Sequence, residues 1–370
     1  MSTPATVKTH REPLLHTVKH AERSGRQTVA LRLAAVALSL VAGGIFILAI
    51  GQNPFAVYAT IVKGAFRSPL AIQATIKYTI PLCICALGVT LAFKMRFWNI
   101  GGEGQLIMGG VFASWFALFC TDWPHPLLLA VMFVAGAIGG GLWGLLPAVF
   151  KSRWNTNETL FTLMLNYIAL HIVSWLQSGP WRDEGANGFN KIARFDKNAG
   201  LDKVLGVHFG WIIMLALVAL VWVYLKYTKH GYEISVVGES QDTARYAGIH
   251  VKKVVLRTMF LSGAIAGIAG VCQVGGSDMT LSMGVAGGVG FTAITVAWLA
   301  RLNPIGMLIV SVLFCILEKG CASVQSVYNL SAATAEALQG IILFFVLGSE
   351  FFLTHRICRA SKLEGGVERG

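Results

Sequence analysis

Charged residues are scarce in this sequence, and acidic residues are the scarcest of them. Asp, Glu, Lys and Arg together make up 13% of the 370 residues, whereas ordinary soluble domains contain about 25%. Apolar residues make up 55% of the chain, and its mean hydropathy is +0.64. This composition argues against a soluble globular domain and indicates a membrane protein.

The sequence also lacks the motifs that bind phosphates, metals or acyl intermediates. It contains no GxxxxGK[ST] loop, no HExxH and no GxSxG. Its seven cysteines form no pair with zinc-ligand spacing, and most lie in or at the edges of apolar runs, where they are expected to act as small apolar side chains. The sequence therefore predicts no catalytic residue, no metal site and no ATP site on this chain.

Long apolar runs are what the sequence has in abundance. About 20 apolar residues are needed to cross the roughly 30 Å hydrocarbon core of a bilayer. The eighth and ninth runs are short and only "RLNP" separates them, so a helical hairpin that enters the membrane part of the way is an alternative for this pair. The ten candidate spans are 31–51, 71–93, 102–120, 126–149, 158–177, 209–226, 256–274, 288–300, 304–318 and 335–352. We therefore expect an all-α membrane protein with about ten transmembrane helices.

The net charge of +12 raises the question of nucleic-acid binding. If the N-terminus is cytoplasmic, 21 of the 30 lysines and arginines fall in cytoplasmic segments, as the positive-inside rule requires. An even number of spans then places the C-terminal tail, with Arg356, Arg359 and Lys362, on the same side. The distribution of basic residues thus predicts a membrane topology in which both termini are cytoplasmic. We therefore expect no nucleic-acid partner.

These observations divide the chain into three segments. Residues 1–30 form a basic cytoplasmic extension, 31–353 the transmembrane domain and 354–370 a cytoplasmic tail. The first apolar run is too long for the core of a signal peptide, so we expect an uncleaved first helix. The extension is expected to be a solvated tail attracted to anionic lipid.

Two connections between spans are long. The extracytoplasmic loop 178–208 mixes both charge signs with Pro, Gly and aromatic residues, which favours a small folded cap or docking surface over a simple turn. The inner loop 227–255 contains a short helical pattern, with Ser240 or Asp242 as the N-terminal cap and Gly248 placed to end it in a left-handed turn.

The stretch "RFWNIGGEGQLIMGG", residues 96–110, places polar side chains at the start of an apolar run. A carboxylate at the centre of a membrane helix costs about 2.5–3.5 kcal/mol, so Glu103 must lie near the interface, against protein, or beside a water-filled cavity. One interpretation makes Glu103 and Gln105 capping and packing groups at the positive end of their own helix. The other makes this glycine-rich entry an interrupted helix beside a transport path.

The fifth run raises the same alternatives more mildly. It opens at "NTNETLFTLMLNYIAL", where Asn157 or Thr156 would cap the helix, and it carries Asn166 deeper in the span. A hydrogen bond between helices is one role for Asn166, and contact with a solute is the other.

Three stretches together carry a family resemblance. They are "FWNIGGEGQLIMGG" at 97–110, "VGESQDTARYAGI" at 237–249 and "GFTAITVAWLARLNPIG" at 290–306. They resemble the membrane permease subunits of ATP-binding-cassette importers for simple sugars and nucleosides, the nucleoside branch above all. The resemblance covers residues from about 30 to 355.

The resemblance implies a ten-helix permease subunit in a bacterial inner membrane. Its partners would be an ATPase subunit that binds ATP and Mg, a second permease subunit, whether identical or not, and an extracytoplasmic solute-binding protein. No cofactor is expected on this chain. The inner loop would contain the coupling helix that docks on the ATPase. The positions that match the family pattern there are Gly238, Glu239, Ala244, Arg245, Tyr246, Ala247 and Gly248.

The polar groups expected nearest to the transport path are Asn99, Glu103, Gln105 and Asn166. Two rival interpretations remain at this point. An ion-coupled secondary transporter would also have broken helices, but it would be expected to pair acidic residues within its spans. A membrane scaffold without transport activity would use the same glycines and asparagines for packing alone.

Overall fold

A computed structural model describes residues 15–19, 25–186 and 188–359, and most of them are helical. The helices are α1 (Gly25–Ala49), α2 (Pro54–Phe66), α3 (Pro69–Lys94), α4 (Gly102–Phe119), α5 (His125–Trp154), α6 (Glu158–Ser178), α7 (Gly210–Tyr227), α8 (Lys229–Glu239), α9 (Gln241–Tyr246), α10 (Val251–Cys272), α11 (Val289–Leu299), α12 (Pro304–Tyr328) and α13 (Ala332–Thr354). The strands are β1 (Leu15–Lys19), β2 (Lys203–Val204), β3 (Val207–His208) and β4 (His355–Arg359).

The predicted all-α membrane architecture is confirmed, but a count of ten spans is not. Seven of the described helices are long and apolar enough to cross a bilayer: α3, α5, α6, α7, α10 with the π-helical turn that extends it to Asp278, α12, and α13. The helix α4 has 18 residues and a polar first turn. The helix α11 has 11 residues, so it is about 16 Å long and covers only half of the hydrocarbon core.

The sequence prediction was wrong in two places at the level of elements. The ninth run is not short, because α12 continues to Tyr328 and has the length of a full span. The partial-hairpin alternative therefore fails for α12, while α11 is indeed short. The helix α2 was not predicted, and it meets the Leu33–Ala49 part of α1 at an angle of 114°. The turn between them contains Gly51, whose φ of +78° suits glycine.

Several helix ends follow directly from capping residues. Ser68 caps α3 by accepting the N–H of Ala71 at 3.2 Å, and Pro69 occupies the first helical turn. Asn157 caps α6 in the same way through Leu160 N, at 3.2 Å, which confirms the cap that the sequence suggested.

The described residues form two compact units, one of residues 61–323 and one that combines the described residues up to 60 with those from 324 to 359. In the first unit α5 and α10 pack against each other through glycines. A Cβ on Gly263 would collide with the carbonyl oxygen of Gly140, and one on Gly267 would collide with that of Gly136. Backbones approach this closely in membrane bundles when the facing residues are small.

The loop at 178–208 is folded, as its length suggested. It contains a short 3₁₀ helix at Lys197–Ala199 and the β2–β3 hairpin. It is tied to the rest of the unit by backbone hydrogen bonds from Phe195 N to Met279 O at 2.8 Å and from Leu201 N to Gly275 O at 2.9 Å. Phe195, Leu201 and Val207 are buried in it.

In the second unit, β1 and β4 pair as antiparallel strands, with Leu15 opposite Arg359. Most of the predicted N-terminal extension, 1–14 and 20–24, and the tail beyond 359 with Lys362, lie outside the described residues.

Candidate functional site

The connection between α3 and α4 is held by a buried pair of side-chain amides. Asn99 is fully buried; its Nδ2 donates to Gln105 Oε1 at 3.2 Å and its Oδ1 accepts from Gln105 Nε2 at 3.1 Å. Asn99 Nδ2 also donates to Ser262 Oγ on α10 at 3.3 Å, and Ser262 donates to the carbonyl of Gly88 at 2.7 Å. Two of the predicted site residues thus join the connection to α10 and α3.

The helix α6 supplies backbone partners to the same connection. Asn166 Nδ2 donates to the carbonyl of Ile100 at 2.9 Å, and its Oδ1 accepts the N–H of Gly104 at 2.8 Å. Thr162 Oγ1 accepts the N–H of Ile100 at 3.2 Å. These bonds satisfy backbone groups that the interruption between α3 and α4 leaves without helical partners. The geometry is that of a hydrogen bond between elements, one of the two roles considered for Asn166.

Glu103 caps a helix, but not its own. Its Oε1 accepts the N–H of Gly288 at 2.8 Å and its Oε2 accepts the N–H of Gly290 at 2.6 Å. These groups lie at the N-terminus of α11, where N–H groups are unpaired and the helix dipole is positive. Glu103 is 5% exposed, so its carboxylate lies against protein at the start of a helix that is too short to span a bilayer. The expectation that it serves the end of its own helix is corrected accordingly.

The glycines at the start of α11 make this contact possible. Gly288, the residue before α11, has φ +81°, a conformation that favours glycine. A Cβ on Gly290 would collide with the backbone N of Glu103. The stretch "GVAGGVG" at 284–290 therefore encodes close approach to α4, and α11 begins where the carboxylate can reach it.

The other end of α11 carries an aromatic cluster. Trp298 stacks on Trp98 with ring centroids 5.8 Å apart, and Phe93 lies 5.6 Å from each of them. Because Trp98 contacts one end of α11 and Glu103 contacts the other, the 98–103 segment follows α11 along its length.

The short helix predicted within the loop 227–255 is present as α9. Ser240 caps it by accepting the N–H of Thr243 at 3.2 Å, and Gly248 follows it with φ +76°. Ala244 is buried and anchors α9. Tyr246 is 92% exposed, and Arg245 pairs with Asp242 at 2.7 Å. Ser240, rather than Asp242, is the cap.

Gly238 and Glu239 lie in a different helix from the other matched positions. They end α8, which lies within the segment predicted as the inner loop. A Cβ on Gly238 would collide with the carbonyl oxygen of Lys94 at the end of α3. The α8–α9 segment is therefore packed directly on the residue that precedes the α3–α4 connection.

The structure thus brings the four polar residues predicted near a path into one buried junction: Asn99, Glu103, Gln105 and Asn166. Sequence reasoning missed its other contributors, Ser262, Gly288 and Gly290. The glycine-rich stretch was visible as a signal for the last two, whereas Ser262 is one polar residue in an apolar helix and gives no signal of its own.

Among the described residues no group of three or more His, Cys, Asp or Glu could hold a metal ion.

Comparison with known proteins gives a consistent answer. Residues 71–347 match the family model described as branched-chain amino acid transport system, permease component. The chain is 30% identical over 335 residues to the glucose ABC transporter permease protein TsgB13 of Haloferax volcanii, covering 87% of this chain and 88% of that one.

Two further relatives are similar over as much of the chain. The guanosine ABC transporter permease protein NupP of Bacillus subtilis is 29% identical over 326 residues, which cover 86% of this chain and 92% of that one. The nucleoside ABC transporter permease protein NupB of Lactococcus lactis is 30% identical over 331 residues, 86% and 90% of the two chains. With a family match over most of its length and several apolar helices long enough to span a membrane, the chain belongs to the family of permease components of the branched-chain amino acid transport system.

Proposed function

We propose that this chain is the membrane-spanning subunit of an ATP-driven importer of nucleosides or simple sugars, energised by a separate ATPase subunit. The relatives named for glucose, guanosine and nucleoside transport support this solute range. Within the range, the two relatives named for nucleosides favour a nucleoside.

The observation that carries the proposal is the half-length helix α11 packed on the interrupted α3–α4 connection. Discontinuous helices are typical of transport proteins, because non-helical backbone at membrane depth is tolerated where protein or a water-filled cavity surrounds it. We place the path beside this junction. Asn99, Glu103, Gln105 and Asn166 would then act by holding the broken elements in position at the wall of the path.

The charges inside the bundle favour a neutral solute. No lysine or arginine is buried among the residues that the structure describes, so an anionic solute has no buried cation to meet. The N-terminus of α11, which could otherwise receive an anionic group, already holds the Glu103 carboxylate. A nucleoside or sugar, with hydroxyls and no charge, fits these conditions.

The ATPase would dock on α9. Its exposed Tyr246 is of the residue type enriched at interface hot spots. Movement of α9 would reach the path through α8, because Gly238 packs on the carbonyl of Lys94 and the α3–α4 connection begins there. The physical link from docking site to junction is therefore one helix and one tight backbone contact.

A second permease subunit and an extracytoplasmic solute-binding protein would complete the importer in the bacterial inner membrane. The folded 178–208 loop offers a surface for the binding protein. The pairing of β1 with β4 places the two ends of the described chain side by side in their unit, which supports both termini on the same face of the membrane.

The test is purification of the tagged chain from its native membrane in mild detergent, followed by identification of the co-purified proteins. We expect an ATPase subunit and ATP-dependent uptake of a labelled nucleoside after reconstitution with the binding protein. Recovery of the chain alone, with transport that needs no ATP but responds to an ion gradient, would replace the proposal by a secondary transporter.

A further inference from the structure

A basic cleft of about 950 Å³ opens between the end of α5 and the segment from α9 to the first turn of α10. Among the residues that the structure describes, no acidic residue lines it. Its basic lining side chains are Lys151, Arg153, Arg245, His250, Lys252 and Lys253. Side chains of one sign that converge on a concave surface repel one another and raise the local concentration of anions.

Only two of these six side chains have an acidic partner among the described residues. Lys151 Nζ lies 2.9 Å from Glu158, and Arg245 pairs with Asp242 at 2.7 Å. Three exposed cations form no ion pair with any residue that the structure describes: Arg153, Lys252 and Lys253. The cleft therefore carries positive charge that an anionic ligand would neutralise.

The start of α10 adds to the positive potential. Its first turn contains no acidic residue, and His250, the residue before it, makes no side-chain capping hydrogen bond. The first N–H groups of a 22-residue helix and the positive end of its dipole therefore lie beside Lys252 and Lys253 in the lining.

The cleft lies where a membrane-spanning helix ends. Lys151 and Arg153 belong to the last turn of α5, one of the apolar spans. Trp154 is 57% exposed beside them, with the Arg153 guanidinium carbon 5.2 Å from its ring centroid. Leu160 in the first turn of α6 is also exposed. Tryptophan and basic residues of this kind mark the level of lipid headgroups, and the apolar neighbours can cover acyl chains.

We propose that this cleft binds the phosphate-bearing headgroup of an anionic phospholipid. The phosphate lies among Arg153, Lys252 and Lys253, and the acyl chains follow the outer surface of α5 and α6. Basic pockets at the cytoplasmic ends of membrane helices bind such headgroups. Exposed tryptophan and apolar surface at the rim favour a lipid over a soluble phosphate.

The bound lipid would also act on α9. Gln241 and Arg245 of α9 line the same cleft, so a headgroup there ties α9 to the end of α5. Tyr246 does not line the cleft and is 92% exposed, so it stays available to a protein partner. The helix thus offers one face to lipid and another to the ATPase.

The experiment measures lipid binding without transport. The full chain, with whatever partners it retains, is purified and titrated with phosphatidylglycerol in nanodiscs of phosphatidylcholine, and retained lipid is counted by native mass spectrometry. We expect one anionic lipid per chain. In the triple variant Arg153→Gln, Lys252→Gln, Lys253→Gln we expect roughly a hundredfold weaker binding, about fivefold for each cation lost.

A matched triple variant provides the control for net charge. Lys63→Gln, Lys203→Gln and Lys226→Gln change three exposed lysines outside the cleft and are expected to leave lipid binding unchanged. A charge-conserving variant, Arg153→Lys with Lys252→Arg and Lys253→Arg, tests for misfolding, because it is expected to retain the lipid. Equal loss of binding in the matched control would reduce the effect to bulk charge and overturn the site.

Other occupants give different results. If inorganic phosphate at millimolar concentration binds the chain equally well and displaces the lipid, the cleft is a site for free phosphate. If the cleft variant loses the ATPase and keeps the lipid, the cleft is a protein interface. Tyr246→Ala is expected to weaken ATPase recovery without changing the number of bound lipids. ATPase recovery therefore tests the importer proposal, and the lipid count tests the lipid proposal.

Discussion

Glu103 places a negative charge at the N-terminus of another helix inside a membrane protein. Both of its oxygens accept backbone N–H groups, at 2.8 and 2.6 Å. Hydrogen bonds to charged groups are stronger than neutral ones, and an unpaired backbone group in the bilayer costs more than one in water. The carboxylate therefore satisfies backbone groups that the buried N-terminus of α11 would otherwise leave unpaired.

Substitution of Glu103 by Gln separates charge from shape. The amide can accept one N–H but turns its own NH₂ toward the other, so we expect a loss of about 1–3 kcal/mol in stability and reduced uptake at unchanged membrane insertion. Thermal stability in detergent and uptake in vesicles measure the two effects. Glu184→Gln, in the exposed part of the 178–208 loop, is the control, and equal behaviour of the two variants would contradict the capping role.

His208 predicts a pH effect in the folded loop. Burial, and then the charge of Lys77, lowers the pKa of His208 to about 4, below its ordinary value of about 6.5. The unfolded loop therefore binds a proton more readily than the folded one. The stabilisation from neutral His208 is complete above about pH 6.5 and is lost as the pH falls toward 4.

We expect the free energy of opening of the loop to decrease by about 2 kcal/mol between pH 7 and pH 5. Hydrogen exchange of residues 203–209 measures this opening. In His208→Gln, which stays neutral, the exchange rates corrected for intrinsic pH dependence are expected to be flat. Parallel pH profiles in the two proteins would show that another group causes the effect.

At the scale of elements, the glycines of α5 and α10 set the distance between two central helices. A Cβ on Gly267 would collide with the carbonyl oxygen of Gly136, and rigid backbone cannot yield as a side chain can. By contrast, Gly340 in α13 has nothing within 4 Å of its ideal Cβ position. The two positions form a matched pair.

We expect Gly267→Ala to destabilise the protein by about 3 kcal/mol, because overpacking outweighs the gain in helix propensity. Gly340→Ala is expected to be neutral or stabilising by up to about 1 kcal/mol, since only the propensity changes. Denaturation in detergent followed by circular dichroism compares them. If both variants are equally stable, the close approach of α5 and α10 does not contribute to stability.

The exposed face of α9 carries the prediction for the ATPase partner. We expect Tyr246→Ala to weaken ATPase binding by roughly 30-fold, the effect of losing a hot-spot side chain worth about 2 kcal/mol. Co-purification at graded ATPase concentrations measures it. Tyr167→Ala, on the exposed side of α6, is the control and is expected to bind normally. Normal binding of Tyr246→Ala would move the docking site away from α9.

At the scale of the whole molecule, the described part of the chain buries several polar side chains but no lysine or arginine. We expect the assembled importer to take up a nucleoside and to discriminate strongly against its 5′-monophosphate, because a doubly charged phosphate finds no buried cation. Competition of each compound with labelled nucleoside uptake measures the discrimination. If the monophosphate competes equally well, the charge argument for this chain is wrong, and cations of a partner subunit must line the path.

The sequence predicted several parts of the structure correctly, for local reasons. Ser240, Gly248 and Asn157 mark helix ends because capping and left-handed turns depend on one or two residues. Other parts escaped prediction because the signal was not local. The helix α2 is as apolar as a transmembrane helix but has only 13 residues. The helix α8 has 11 residues and lies at the surface. Neither sequence therefore resembles a transmembrane segment.

The sequence by itself determined that this is a membrane protein built from apolar helices, and its motifs indicated a permease family before any contact was known. Composition and run length suffice for this, since the bilayer requires long apolar helices. Only the tertiary structure decided which helix Glu103 caps and that α11 ends after 11 residues. It alone brought the cations of α5 and α10 into one cleft. Such pairings join residues 100 to 190 positions apart, and one-dimensional patterns do not encode the partner of a side chain.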